Sequence, residues 1–194
     1  MEQKSAKFKL ILGIALVVAC VYLFSFGIVA YHYPTYEKFI LKYSLNKEIA
    51  QKQTKNVIDY FQGKIDISEL NGFDAKEAMH LYDVKWVIRA LLVLMLVCFI
   101  TLLFIADRRV VLYGGVASLV FPLVLYLVPF EILFDLFHRI TFSSGTWLFD
   151  SNSLLIQMYP FEFFYEFFLN IIVRGIILSL IVLILAIVER FRKT

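Results

Sequence analysis

The chain has 194 residues, 61% hydrophobic and 17% aromatic, with a mean hydropathy of +0.78 and a formal net charge of +3. That composition is too apolar for an ordinary soluble domain, and so small a charge gives no footing for nucleic-acid binding. A bilayer forces every backbone polar group to pair internally, and the apolar runs here have the length of spanning helices rather than of barrel strands.

The first run, residues 8–30, follows the basic start Lys4, Lys7 and Lys9. It leads into Tyr31, Tyr33, Pro34 and Tyr36 with no small-x-small exit, so it reads as an anchor rather than a cleaved signal peptide. An outer segment, 31–85, then carries a short amphipathic helix over roughly 47–62, with Ile49, Val57, Tyr60 and Phe61 on its apolar face and Gly63 as its stop. A turn or small hairpin through 66–72 follows. Asp74 and Glu77 are spaced as an N-cap and its acidic N3 partner, opening a helix that runs into the second span, 86–106. Asp107, Arg108 and Arg109 form a short basic turn before the third span, 110–130, which contains Pro122 and Pro129. A second outer segment, 131–166, precedes the fourth span, 167–188, and the basic residues Arg190, Arg192 and Lys193.

The expected fold is an all-α integral membrane protein, a single membrane domain over 1–194 with four transmembrane helices. Its outer-face cap is a short amphipathic helix with a loop or small hairpin. Lys and Arg set the orientation: the N-terminal tail, the 107–109 turn and the C-terminal tail carry three, two and three, whereas 131–166 carries only Arg139. Both termini are therefore expected in the cytoplasm and segments 31–85 and 131–166 outside. Trp86, Trp147 and the tyrosine cluster then fall at the outer interface.

All three histidines, His32, His80 and His138, lie on that outer side. Imidazole titrates near neutrality, so it suits proton transfer at a membrane face. Glu77-x-x-His80, with Asp83 three residues on, and Asp135-x-x-His138 each place a carboxylate and an imidazole on one helix face. Plainer readings compete: Glu77 as a capping residue, Asp83 and Lys85 as interfacial charges, His32 as a headgroup or backbone partner. A repeated carboxylate-x-x-His with a further acid such as Glu131 also fits a metal pair in a helical bundle, but helices one and four offer no obvious inward acid. Cys20 and Cys98 sit inside apolar runs and read as small hydrophobes. Gly-x-Ser-x-Gly, His-Glu-x-x-His and phosphate-binding glycine loops are absent from the sequence, and Arg174 is the main ionisable residue within a span.

Three stretches carry a resemblance: Glu77 through His80 and Asp83 to Lys85, Phe137-His138 to Phe142, and Trp147 through Asp150, Leu155 and Ile156 to Pro160–Phe164. Together with the four-span layout they make the chain similar to the lipoprotein intramolecular transacylase (Lit) family of Gram-positive bacteria. The resemblance implies a cell-membrane acyltransferase with its site facing the extracellular side. Its substrates would be diacylglyceryl-modified lipoproteins, whose sn-2 acyl chain moves to the α-amino group of the same cysteine to give the lyso form. It implies His80 and His138 as catalytic groups and no cofactor. Glu77, Asp83 and Asp135 are expected to orient them, and Lys85, Arg139, Trp147 and Asp150 to position substrate. One departure stands out: in the family pattern an Asp-Pro and a further Asp follow the Trp, whereas Ser151, Asn152 and Ser153 follow Asp150 here. The alternatives are a non-catalytic membrane protein that binds a partner through its outer loop, or a metal-dependent membrane enzyme.

Overall fold

The computed structural model describes residues 2–143 and 145–192, and their secondary structure is helical throughout. The helices are α1 (Glu2–Tyr31), α2 (Tyr33–Tyr43), α3 (Lys47–Gln62), α4 (Ala75–Ile105), α5 (Arg108–Tyr126), α6 (Phe130–Thr141), α7 (Leu154–Met158) and α8 (Phe161–Arg192), with a 3-10 turn at Ile67–Glu69.

Local chemistry sets these ends. Asn46 caps α3 by accepting from the Ile49 amide, and Gly63 ends it at φ 78°, a left-handed conformation that glycine adopts without a Cβ penalty. The Asp66 and Glu69 side chains close a capping box on the 3-10 turn, so 66–72 is a turn and not a strand hairpin. Asp74 accepts from the Glu77 amide at 2.8 Å while Glu77 accepts from the Asp74 amide at 2.9 Å, the reciprocal cap expected from their spacing.

Three features differ from the sequence expectation. Helix α2 begins at a Pro-bearing first turn, where the missing N–H is harmless, and buries Tyr36, Phe39 and Ile40. The third apolar run does not continue to 130: α5 ends at Tyr126, and α6 restarts after Pro129, whose ring disfavours helix in the residue before it. Helix α8 opens just after Pro160 rather than at 167.

Four helices are long and apolar enough to cross a membrane: Gln3–Tyr31, Ala75–Ile105, Arg108–Tyr126 and Phe161–Val188. Between 11% and 22% of the most apolar stretch of each is buried, a surface that lipid accommodates and water does not.

The chain divides into two compact units. The first takes residues through Phe26, Leu91–Val128 and from Ile171 onward. Its core is Val17, Val21 and Val110, with Leu10, Tyr22, Leu102, Leu178 and Val182 packed around it. Here α1 and α5 run parallel, because Gly13 meets Val110, Val17 meets Gly114, and the Tyr22 hydroxyl donates to the Ser118 carbonyl at 2.8 Å. First and third spans must run parallel when a chain crosses back and forth. A Cβ on residue 114 would lie 2.6 Å from the Val17 Cβ, which is fixed to its own backbone. Gly114→Ala is therefore expected to destabilise the protein by about 1–3 kcal/mol. A lower unfolding midpoint in detergent would show it; an unchanged midpoint would mean that the helices do not touch there.

The second unit takes Gly27–Ala90 and Pro129–Asn170. Tyr36 and Phe39 pack on Phe163 with ring centroids 5.7 and 5.8 Å away, and Thr54 Oγ1 lies 2.8 Å from the buried Tyr159 hydroxyl. The Leu45 amide donates to the Gln157 carbonyl at 2.9 Å, and the Ser44 hydroxyl to that of Met158. These bonds tie the α2–α3 connection to α7.

Candidate active site

His80, on α4, and His138, on α6, stack with ring centroids 6.3 Å apart and planes 19° from parallel. Aromatic rings surround them. Phe142 lies 4.7 Å from His80 and 5.4 Å from His138, and Phe149 lies 5.3 Å from His80. Phe134 and Trp147 lie 4.2 and 4.9 Å from His138. Such walls limit the access of water to the imidazoles and lower the local dielectric.

The two rings are held differently. His138 is buried, and its Nδ1 lies 2.7 Å from the Phe134 carbonyl. A carbonyl only accepts, so Nδ1 carries the proton and Nε2 of the neutral ring keeps a lone pair. Burial holds the His138 pKa below its usual value, against the opposing pull of the Phe134 carbonyl and of Asp135. His80 is half-buried, and its buried Nδ1 has no hydrogen-bond partner among the described residues. No contact fixes its tautomer.

The other expected site residues fall in several places. Glu77 is buried and bonds amides instead of an imidazole: one oxygen accepts from Asp74, the other from Leu155 at 2.9 Å. It thereby fastens the first turn of α4 to that of α7. Asp135 accepts from Arg139 Nε at 2.6 Å on an exposed helix surface, so the two engage each other. Asp135 reaches His138 through its field. The Lys85 ammonium sits 3.8 Å above the centre of the Tyr60 ring. Trp147 packs on His138, as given above. Asp150 is exposed and lines a cavity of about 430 Å³ with Asp74, Lys76, Phe149, Asn152 and Ser153. Asp83 lines another, of about 320 Å³. His32 stands apart, its Nδ1 2.9 Å from Thr35 Oγ1 at the start of α2. Among the described residues no three His, Cys, Asp or Glu side chains group closely enough to hold a metal ion.

A family model described as lipoprotein intramolecular transacylase Lit matches residues 7–164, which include both histidines and every ring around them. The chain belongs to the Lit family. Solved structures agree with that assignment in fold. The in meso structure of Bacillus cereus Lit is 21% identical and superposes with a TM-score of 0.74, covering 99% of this chain and 100% of that one. A form of the same Bacillus protein with a histidine-to-alanine mutation gives a TM-score of 0.78 at 20% identity, over 100% of this chain and 98% of that one. An Aquifex aeolicus (strain VF5) protein, described as uncharacterized, is 26% identical in a match 129 residues long that covers 62% of this chain and 60% of that protein, less than two thirds of its length. As a Lit family member with four long apolar helices, the chain is a multi-pass membrane protein of an acyltransferase family.

After Asp150 the chain of this Lit family member turns into α7. Ser153 caps α7, its side chain accepting from the Ile156 amide, and serine and aspartate are comparable N-caps. The residues that sequence reasoning missed are the enclosing rings Phe134, Phe142 and Phe149. Two of them stand four residues either side of His138, so the helical period alone would have found them.

Proposed function

We propose that this chain moves an acyl chain within one lipoprotein molecule. The chain leaves the sn-2 glyceryl oxygen of the diacylglyceryl-cysteine and joins the α-amino nitrogen of the same cysteine, giving the N-acylated, S-monoacylglyceryl lyso form. The carrying observation is the stacked imidazole pair inside an aromatic enclosure, with one tautomer fixed. Family membership supports the reading.

Both reacting groups belong to a single bound molecule, so the enzyme's main task is to fold the headgroup until nitrogen approaches the ester carbon. His138 Nε2 takes a proton from the attacking nitrogen, as its free lone pair suits it to do. The carbon–nitrogen bond forms, the ester carbon–oxygen bond breaks, and the imidazolium returns the proton to the leaving glyceryl oxygen. His80, across the stack, donates to the oxyanion. No acyl-enzyme is needed.

The finer localisation, a site open to the extracellular side, rests on charge. Because Gly13 meets Val110, the parallel α1 and α5 bring Lys4, Lys7 and Lys9 to the same end of the first unit as Arg108 and Arg109. Such a basic end belongs in the cytoplasm. In the C-terminal tail, Lys193 lies outside the described residues, and only the backbone of Arg190 and Arg192 is described.

His138 must be neutral to act as base. Its lowered pKa puts the acid limb that belongs to His138 below pH 6.5, the ordinary imidazole value, while the substrate's α-ammonium, which must lose a proton before it attacks, sets a second limb at about pH 8. A His138 imidazole found by NMR to titrate at or above 6.5 in the folded protein would contradict this assignment. The function itself is tested by mass spectrometry of the N-terminal lipopeptide of a tester lipoprotein made with and without the chain. The lyso form is expected only with it; a diacylglyceryl peptide unchanged in both would refute the proposal.

A further inference from the structure

We infer that the Asp83 carboxylate receives the substrate's α-ammonium group, and so separates lipoproteins with a free N-terminus from those already acylated. The inference rests on the transacylase reading. Asp83, Trp86, Val87 and Ala90 form a stripe along α4 that makes one side of the 320 Å³ cavity, with Thr141, Phe142 and Ser143 opposite. Phe142 is shared with the imidazole pair, its ring lying 4.7 Å from His80 and 5.4 Å from His138. Asp83 also stands one helical turn from His80.

Among the described residues Asp83 is the only ionisable side chain lining this cavity, and it is half-buried. Among the described residues no cation or hydrogen-bond donor meets it. The carboxylates three residues before each histidine do have partners: Glu77 holds two amides and Asp135 holds Arg139. A partly desolvated carboxylate with no partner is costly, and a bound cation relieves that cost. The substrate brings one such cation, its α-ammonium, on the molecule whose ester the histidines must reach.

The assignment also explains release. Across the reaction the ammonium loses two protons, one to solvent and one, through His138, to the glyceryl oxygen, and becomes a neutral amide. The product no longer offers Asp83 a cation.

Two ether-linked dialkylglyceryl-cysteinyl peptides, which cannot transfer a chain, test this: one with a free amine, one N-acetylated. Each competes with an ester lipopeptide turned over by the full-length protein in detergent. The wild type is expected to bind the free amine at least about tenfold more tightly. Asp83→Asn is expected to reduce that preference to within about twofold, and Asp83→Glu to keep it. Persistence of the preference in Asp83→Asn would overturn the inference, as would a wild type without preference, a result that needs no variant to fold. Failure of the wild type to convert the ester lipopeptide would instead overturn the reading beneath it.

Discussion

His138→Ala is expected to slow lyso-form production by about 10³-fold, near the middle of the range that general acid–base groups contribute. The ring supplies the only lone pair that a described contact fixes toward the reaction, through the 2.7 Å bond from Nδ1 to the Phe134 carbonyl. His80→Ala removes the proposed oxyanion donor and is expected to slow the reaction by about 10²- to 10³-fold. Because the rings act as a unit, the double variant should be little slower than the worse single one. Turnover of purified protein, normalised to the folded fraction, measures these effects. A His138→Ala enzyme within tenfold of wild type would remove His138 from the role of base.

Glu77→Ala is expected to cost about 3 kcal/mol of stability. The side chain is buried and satisfies the amides of Asp74 and Leu155, and its loss leaves both donors without their protein acceptor, the Leu155 amide in a buried setting. Glu77→Gln keeps one acceptor oxygen and should lose roughly half as much. Thermal unfolding in detergent reads the difference. Activity should fall in step with folded protein, since Glu77 touches no imidazole. A stable Glu77→Ala protein with lost turnover would place the carboxylate in the chemistry instead.

What the sequence made legible follows from local rules. Asn46 and Gly63 bracket α3, and the Asp74 and Glu77 spacing announced the start of α4; one side chain or one φ angle settles each. Helix α2 was harder to see because Pro34 reads as a break unless it falls in a first turn, and the Tyr36, Phe39 and Ile40 stripe that stabilises the helix needs partners such as Phe163. The site divides in the same way. His80 and His138 are legible in the sequence as residue types in segments expected on one side of the membrane. Their stacking depends on α4 and α6 meeting, across 58 residues of chain that no helical period links. The carboxylate-x-x-His spacing misled in one respect. It suggested acids that orient imidazoles, whereas Glu77 bonds amides and Asp135 bonds Arg139, each a nearer partner.

The central claim, transfer within one molecule by an imidazole pair, is tested most directly by crossover. One lipopeptide carries deuterated acyl chains, the other an isotopically heavy peptide, and the two are mixed with the full-length protein in mixed micelles. Mass spectrometry of the N-acylated products is expected to show only parental pairings of chain and peptide. Products joining the deuterated chain to the heavy peptide, in proportion to the mixture, would contradict the account.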